Sequence, residues 1–164
     1  PPWVPACAAL EWRLVAAGWL PWQAPLSTDA LSTVAPAQYA EVRLSSAATT
    51  WLGRAEPHAV AAIGAAWRSP IVGLDGPVVA DGSVGEAARE VDVLVYRHGW
   101  TVDLRVPSAV EAAMLRALLD GETLGAAVAA ASAVHAGAAA EIGQQLGTWS
   151  QRWVMDHVVV GLSV

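Results

Sequence analysis

The stretch VDVLVYRHGWTVDLRVP, residues 91–107, decides the fold because it encodes a β-hairpin. In its second arm apolar and polar residues alternate, which is the period of a strand with one buried face. The apolar members of this alternation are Trp100, Val102, Leu104 and Val106. We expect these side chains to hold the second arm on a core, and residues 91–97 to form the inner strand of a sheet.

The loop of the hairpin sets which residues face each other. A two-residue His-Gly loop at 98–99 is predicted, since such loops need positive φ, which glycine adopts freely and histidine tolerates. In that register the Arg97 guanidinium lies over the ring of Trp100. Asp92 faces Arg105, and the opposite charges of this pair agree with the register.

The composition is that of a globular chain. It has 164 residues, 55% of them hydrophobic, which is enough for the core of one domain or of two small ones. No apolar run approaches the roughly 18 residues of a membrane helix, and no signal peptide is visible. A net charge of −6 without a basic stripe makes nucleic acid a poor candidate for a partner. Because Cys7 is the single cysteine, we exclude an intramolecular disulfide and predict a cytoplasmic location.

The N-terminal part, residues 1–72, is predicted to be a small subdomain of helices and short strands. An amphipathic helix covers 5–19, strands begin at Glu41 and cover 49–52, and a helix runs from Pro57 towards Trp67. Glycine and proline then punctuate residues 73–90, which we predict to be an irregular linker and the boundary between two subdomains.

The C-terminal part, residues 91–164, is predicted to be a hairpin followed by three helices. Ser108 opens the first helix with a capping-box pattern, Thr123 caps the second, and the third covers 138–156. A short strand or extended tail follows at 158–160. We therefore predict an α+β fold whose C-terminal unit resembles a winged helix.

The sequence gives little support for catalysis. The histidines at 58, 98, 135 and 157 are scattered, without the spacing of metal ligands. No glycine pattern offers a phosphate-binding loop, and no serine lies in a nucleophile-elbow context. We expect neither a metal nor a cofactor in this chain, and we expect that it is not an enzyme.

A groove is the alternative to a purely structural interpretation of the last helix. Trp149 and Trp153, with Gln145 and Arg152 beside them, suit either a plain core or one wall of a trough. If the second arm of the hairpin is an edge strand, an extended peptide can add to residues 100–106 as a further strand. The last helix would then supply side-chain pockets.

The C-terminal run from VDVLVYRHGW through LRALLDGETLGAAVAAA to EIGQQLGTWSQRWVMDHVVVG resembles a PqqD-like recognition element of RiPP biosynthesis, the maturation of ribosomally made peptides. The N-terminal segments LEWRLVAAGW, PAQYAEVRLSS, TWLGR and PHAVAAI are similar to the HvfC/BufC-type family. Members of that family are partner proteins of multinuclear iron-dependent oxidases.

This resemblance implies a non-catalytic partner that binds the leader segment of a precursor peptide and presents the core of that peptide to the oxidase. It also implies a heterodimer with the oxidase, and iron in the oxidase rather than in this chain. Carried onto this sequence, the residues expected to bind the peptide are Thr101, Val102, Asp103, Leu104, Arg105, Gln145, Trp149 and Arg152.

Two other classes of function remain open from the sequence. The order of a hairpin and three helices also suits a winged-helix regulator that binds DNA, whose recognition helix would cover 138–153. That segment carries one Glu and one Arg, whereas phosphate contacts usually need several cations. A structural subunit that packs on an enzyme through its tryptophans is the third possibility.

Overall fold

The computed structural model describes residues 3–27, 29–30, 33–67 and 90–164, and shows an α+β fold. Its helices are α1 (Val4–Trp19), α2 (Pro57–Trp67), α3 (Ala109–Leu119), α4 (Leu124–Ser132) and α5 (Ala138–Met155). Its strands are β1 (Arg43–Ser46), β2 (Trp51–Ala55), β3 (Val91–His98), β4 (Thr101–Arg105) and β5 (Val159–Ser163). A 3₁₀ helix, Pro36–Glu41, precedes β1. None of the described helices is both long and apolar enough to cross a membrane.

A three-stranded antiparallel sheet in the order β2-β3-β4 forms the centre of the fold. On one face, Val93 and Val95 of β3 pack in a core with residues of α1 and α2. On the other face, Leu94 packs against α3 and against Trp153 of α5. The sheet is therefore covered by helices on both faces, because alternate side chains of its central strand enter different cores.

The predicted position of the hairpin loop is wrong by one residue. The loop is Gly99 and Trp100, with Arg97 opposite Val102 and His98 opposite Thr101. Gly99 has φ 62°, whereas Trp100 has no positive φ, which is the pattern of a type II′ turn with glycine in its first central position. Moving the loop by one residue moves each cross-strand partner by two residues, so that Val95 faces Leu104 instead of Val102. Each side chain therefore keeps its predicted face of the sheet but has a different partner.

The shift changes the charge pairs of the hairpin. Arg105 lies opposite Leu94 rather than Asp92, and Asp92 instead accepts a hydrogen bond of 2.6 Å from Arg116 of α3. The Arg97 guanidinium does lie over the Trp100 ring, 5.7 Å from its centroid, which confirms that contact. Trp100 itself is 95% exposed, so the prediction that it holds the strand on the core is wrong.

The three helices predicted after the hairpin are confirmed. Ser108 and Thr123 cap α3 and α4, and each hydroxyl oxygen accepts a backbone N–H at 3.2 Å. The predicted start of the first strand at Glu41 is wrong, because the 3₁₀ helix continues through that residue. The second strand begins at Trp51 rather than at residue 49, because a turn closed by Thr50 N–H to the Ala47 carbonyl precedes it.

The predicted subdomains 1–72 and 91–164 share both sheets. In their described residues β2 pairs with β3, and β1 pairs with the C-terminal strand β5, in register from Arg43 opposite Ser163. Except for Glu90, the predicted linker 73–90 lies outside the described residues. The pairing places β5 beside β1 and away from β4, which bears on the accessibility of the β4 edge.

Candidate functional site

A trough of about 490 Å³ runs between the hairpin and the C-terminal half of α5. It is lined by Tyr96, Arg105, Thr148, Gln151, Arg152, Met155 and Asp156. The α5 residues at 148, 151, 152 and 155 follow helical spacing and therefore form one face of the helix. This is the place where the sequence predicts a groove between an edge strand and the last helix.

A buried ionic network supports the floor of the trough. Arg105 donates from its Nη1 and Nη2 atoms to the two carboxylate oxygens of Glu111, at 2.9 and 2.7 Å. Trp153 Nε1 donates to the same carboxylate at 2.9 Å. Arg105 and Glu111 are 3% and 2% exposed, so each charge depends on the other in a region with little water. The Glu111 carboxylate is thus used in the core rather than to complete the capping box of α3.

The wall of the trough carries a carboxylate and a phenol whose ionisation is perturbed. Asp156 Oδ2 lies 3.7 Å from Arg105 Nε. Burial raises the pKa of Asp156, and the nearby Arg105 and Arg152 offset part of this effect. Burial also raises the pKa of Tyr96 to about 12, and the charge of Asp156 adds to the shift. The site therefore combines hydrogen-bonding groups with ionic groups of both signs.

We expect the ionisation of Tyr96 to report on the trough. The folded phenol of Tyr96 has a pKa of about 12, against an ordinary 10.0. The contribution of Tyr96 to folding stability is therefore fully present below pH 10 and is lost as the pH rises from 10.0 to about 12. A rapid pH-jump ultraviolet titration of the folded protein should show a step near pH 12 that Tyr96→Phe removes. If Tyr96→Phe still shows the step near pH 12, this assignment is contradicted.

The edge strand β4 supplies backbone groups beside the trough. Among the described residues it pairs with β3 alone. His98 and Thr101 flank the two-residue hairpin loop, and residues in that position exchange two backbone hydrogen bonds with each other. The following residue of β4 therefore points its N–H and C=O away from β3. That residue is Val102, which is partly exposed. Leu104, two positions later, also points its backbone groups away from β3 but is 5% exposed. Within the described ranges, Val102 is thus the more exposed of the two β4 residues whose backbone groups point outward.

The eight residues predicted to bind the peptide fall into three groups. Arg105 and Arg152 line the trough, and Thr101 and Asp103 lie on the same face of β4 as Arg105. Val102 and Leu104 belong with the opposite face, where both pack with the α1 core. On α5, Gln145 is exposed but does not line the trough, and Trp149 is buried in the core with Trp153.

Sequence reasoning missed the trough residues Tyr96, Thr148, Gln151, Met155 and Asp156. A signal for the α5 members was available, because the side chains at 148, 151 and 155 lie three and four positions apart beside the predicted Arg152. The tryptophans drew attention to the buried face of the helix instead. Tyr96 shares a face with Asp103 in the predicted and the observed register, but only the observed register makes the two residues direct partners across the hairpin.

A second cavity, of about 500 Å³, lies between α1 and β2. The Arg13 guanidinium lies 5.2 Å from the centroid of the Trp51 ring, and both residues line this cavity. Glu90, another lining residue, directly follows residues that are not described. Within the described ranges, no group of three or more His, Cys, Asp or Glu side chains is placed to hold a metal ion.

Comparison with known proteins gives no independent identification. No protein-family model matches the chain, and neither a curated protein nor a solved structure matches it.

Proposed function

We propose that the protein is a non-catalytic partner that binds the leader segment of a ribosomally made precursor peptide and presents the peptide to a multinuclear iron-dependent oxidase. The observation that carries this proposal is that β4, among the described residues, pairs with β3 alone and lies beside the trough. An edge strand with a neighbouring helix is the geometry used by proteins that bind peptides through strand addition. The family resemblance adds the identity of the partner enzyme.

In the proposed complex the leader lies along β4 as a fourth strand of the sheet. The backbone N–H and C=O of Val102 exchange hydrogen bonds with the peptide. Alternate peptide side chains enter the trough, where Tyr96, Arg152 and Met155 offer a phenol, a guanidinium and an exposed thioether. The backbone contacts provide affinity, and the trough provides selectivity.

An apolar stripe on α1 supports a stable contact with a partner protein. Val4, Trp12, Val15 and Trp19 follow helical spacing and are 46%, 68%, 37% and 86% exposed. Contiguous exposed apolar residues can mark a site of protein–protein interaction. Within the proposal this stripe forms the heterodimer with the oxidase, which holds the iron, and the complex acts in the cytoplasm.

Val102→Pro tests the strand-addition step. Proline removes the outward N–H at this position, so binding of the leader segment of the precursor peptide should fall by about a hundredfold or more in calorimetry. Val102→Ala is the matched control, because it shortens the side chain but keeps the amide, and it should retain most of the affinity.

A second measurement keeps the test valid if Val102→Pro does not fold. A series of leader peptides is made in which each peptide carries one backbone N-methyl group at a different position. Methylation should weaken binding to the unchanged protein only at every second position, where the peptide N–H faces β4. Equal binding by all the methylated peptides, or full affinity of a folded Val102→Pro protein, would contradict the groove. Co-purification with the oxidase without any leader binding would favour a structural subunit instead.

The DNA-binding alternative gains no support from the last helix. Of its two charged residues, Glu141 accepts a hydrogen bond from Ser108 and pairs with His135 at 3.5 Å, and Arg152 lines the trough. A helix of this kind offers a single cation to a phosphate backbone. A salt-sensitive mobility shift of duplex DNA at physiological ionic strength would nevertheless favour the regulator.

A further inference from the structure

Two histidines meet where the hairpin tip contacts the end of α5. His98 is the last residue of β3, and His157 follows Asp156, the C-cap of α5. Their ring centroids are 4.8 Å apart, with the planes at 69°. Trp22, from the segment after α1, has its ring centroid 6.3 Å from that of His157. We call His98 and His157 the histidine pair.

The backbone of His157 adopts a conformation that favours glycine. Its φ is 57°, and it is the one non-glycine residue with positive φ among the residues described. The Val158 N–H donates to the Trp153 carbonyl at 2.9 Å, and the His157 N–H donates to the Val154 carbonyl at 3.1 Å. This is a Schellman motif with histidine at the position where glycine is usual. Glycine at this position would relieve backbone strain.

The surroundings of His157 oppose a positive charge. Its Nδ1 atom is buried and has no hydrogen-bond partner in the described part of the chain. Burial lowers the pKa of His157, and the charge of His98 lowers it further. Trp22, on the other side, carries no charge. His98 is the charged group that acts on His157. The neighbouring Asp156 is influenced in turn by His98 and by Arg105, Arg152 and Asp103.

The contact between the two rings opposes a proton on His157. The rings lie 4.8 Å apart between their centroids, so a charge on one ring acts directly on the other. A proton on His157 therefore meets burial and the repulsion of His98 together. Protonation of His157 is unfavourable while the two rings stay in contact.

We propose that the histidine pair is an acid-sensitive latch, which holds the hairpin tip against the junction of α5 and β5 and releases it when His157 is protonated. Above the ordinary histidine pKa of 6.5 the latch is closed and contributes its full stability. As the pH falls below that value, the unfolded chain takes up a proton that folded His157 resists, so this stability is lost. The junction loosens first, and with it the Val158 carbonyl that accepts from Ala47 N–H. This inference does not depend on the proposed function.

Amide hydrogen exchange measured by NMR tests the latch. In the parent protein, the protection of the Val158 amide, corrected for intrinsic exchange, should fall about tenfold between pH 7 and pH 5, because the unfolded chain takes up a proton that folded His157 resists. Amides in the centre of β3 should keep their protection. His157→Asn is the matched variant, because asparagine tolerates positive φ and does not titrate in this range, so its Val158 protection should not change with pH.

His98→Gln separates the two causes of the effect. In this variant the NMR titration midpoint of His157 should rise, but it should remain below 6.5 because burial persists. An unchanged midpoint would overturn the coupling between the two rings. The latch would be overturned if the protection of the Val158 amide in the parent did not change with pH. It would also be overturned if His157→Asn lost as much protection as the parent.

Discussion

Replacing Glu111 by alanine should lower the free energy of unfolding by about 3–5 kcal/mol, which is the cost of removing one partner from a buried ion pair. The variant leaves the Arg105 guanidinium 3% exposed without its carboxylate, and it leaves Trp153 Nε1 without an acceptor. Urea denaturation followed by circular dichroism measures the effect, and the slope of the transition should change little because the core elements remain.

The double variant Arg105→Met with Glu111→Leu is the control for this result. It removes both charges and fills a similar volume, so no unpaired ion remains, and it should be more stable than Glu111→Ala alone. Trp153 Nε1 still lacks its acceptor in the double variant, and we therefore expect less than parent stability. A loss below about 1 kcal/mol in Glu111→Ala would mean that water reaches the network and that the floor of the trough is not rigid.

Leu94→Ala and Trp100→Ala should differ in stability by several kcal/mol, in the opposite order to the sizes of the two side chains. Leu94 is fully buried in the core between the sheet and α3, and its truncation should cost about 2–5 kcal/mol. Trp100 is 95% exposed at the hairpin tip, and its truncation should change the free energy of unfolding by about 0.5 kcal/mol or less.

Thermal and urea unfolding of the two variants measure this difference directly. Val95→Ala extends the comparison to the other face of β3, because Val95 is equally buried but packs with the α1 core. If truncation at 95 were harmless while truncation at 94 was costly, one face of the sheet would contribute little to stability. The two-sided core would then be contradicted.

Local signals in the sequence predicted much of the fold. Ser108 and Thr123 are caps whose hydroxyl groups act within three residues, and the helices they begin are where they are expected. The hairpin was recognisable for the same reason. Its loop was misplaced by one residue because glycine suits positive φ in either central position of a two-residue loop, and the alternation of the arms is the same for both choices.

Long-range contacts were the part that could not be predicted. The pairing of β1 with β5 depends on residues far apart in the chain, and nothing in either segment specifies its partner. The same holds for Glu111, whose spacing from Ser108 suits a capping box, whereas its carboxylate pairs with Arg105 in the core. For the candidate site, the predicted groove between strand and helix is present as a trough, but Trp149 faces inward, because bulky apolar residues on an amphipathic helix are more often core than contact surface.

The pairing of Arg43 with Ser163 has a consequence for how the chain reaches its folded state. During synthesis β1 leaves the ribosome long before β5 exists, so its edge stays without a partner while the intervening helices are made. At about 5–20 residues per second, this interval lasts several seconds or more. Closing so large a loop is slow in comparison with forming the hairpin and its helices. The β1–β5 ribbon should therefore be the last sheet to form, and the nascent chain is exposed to aggregation until it does.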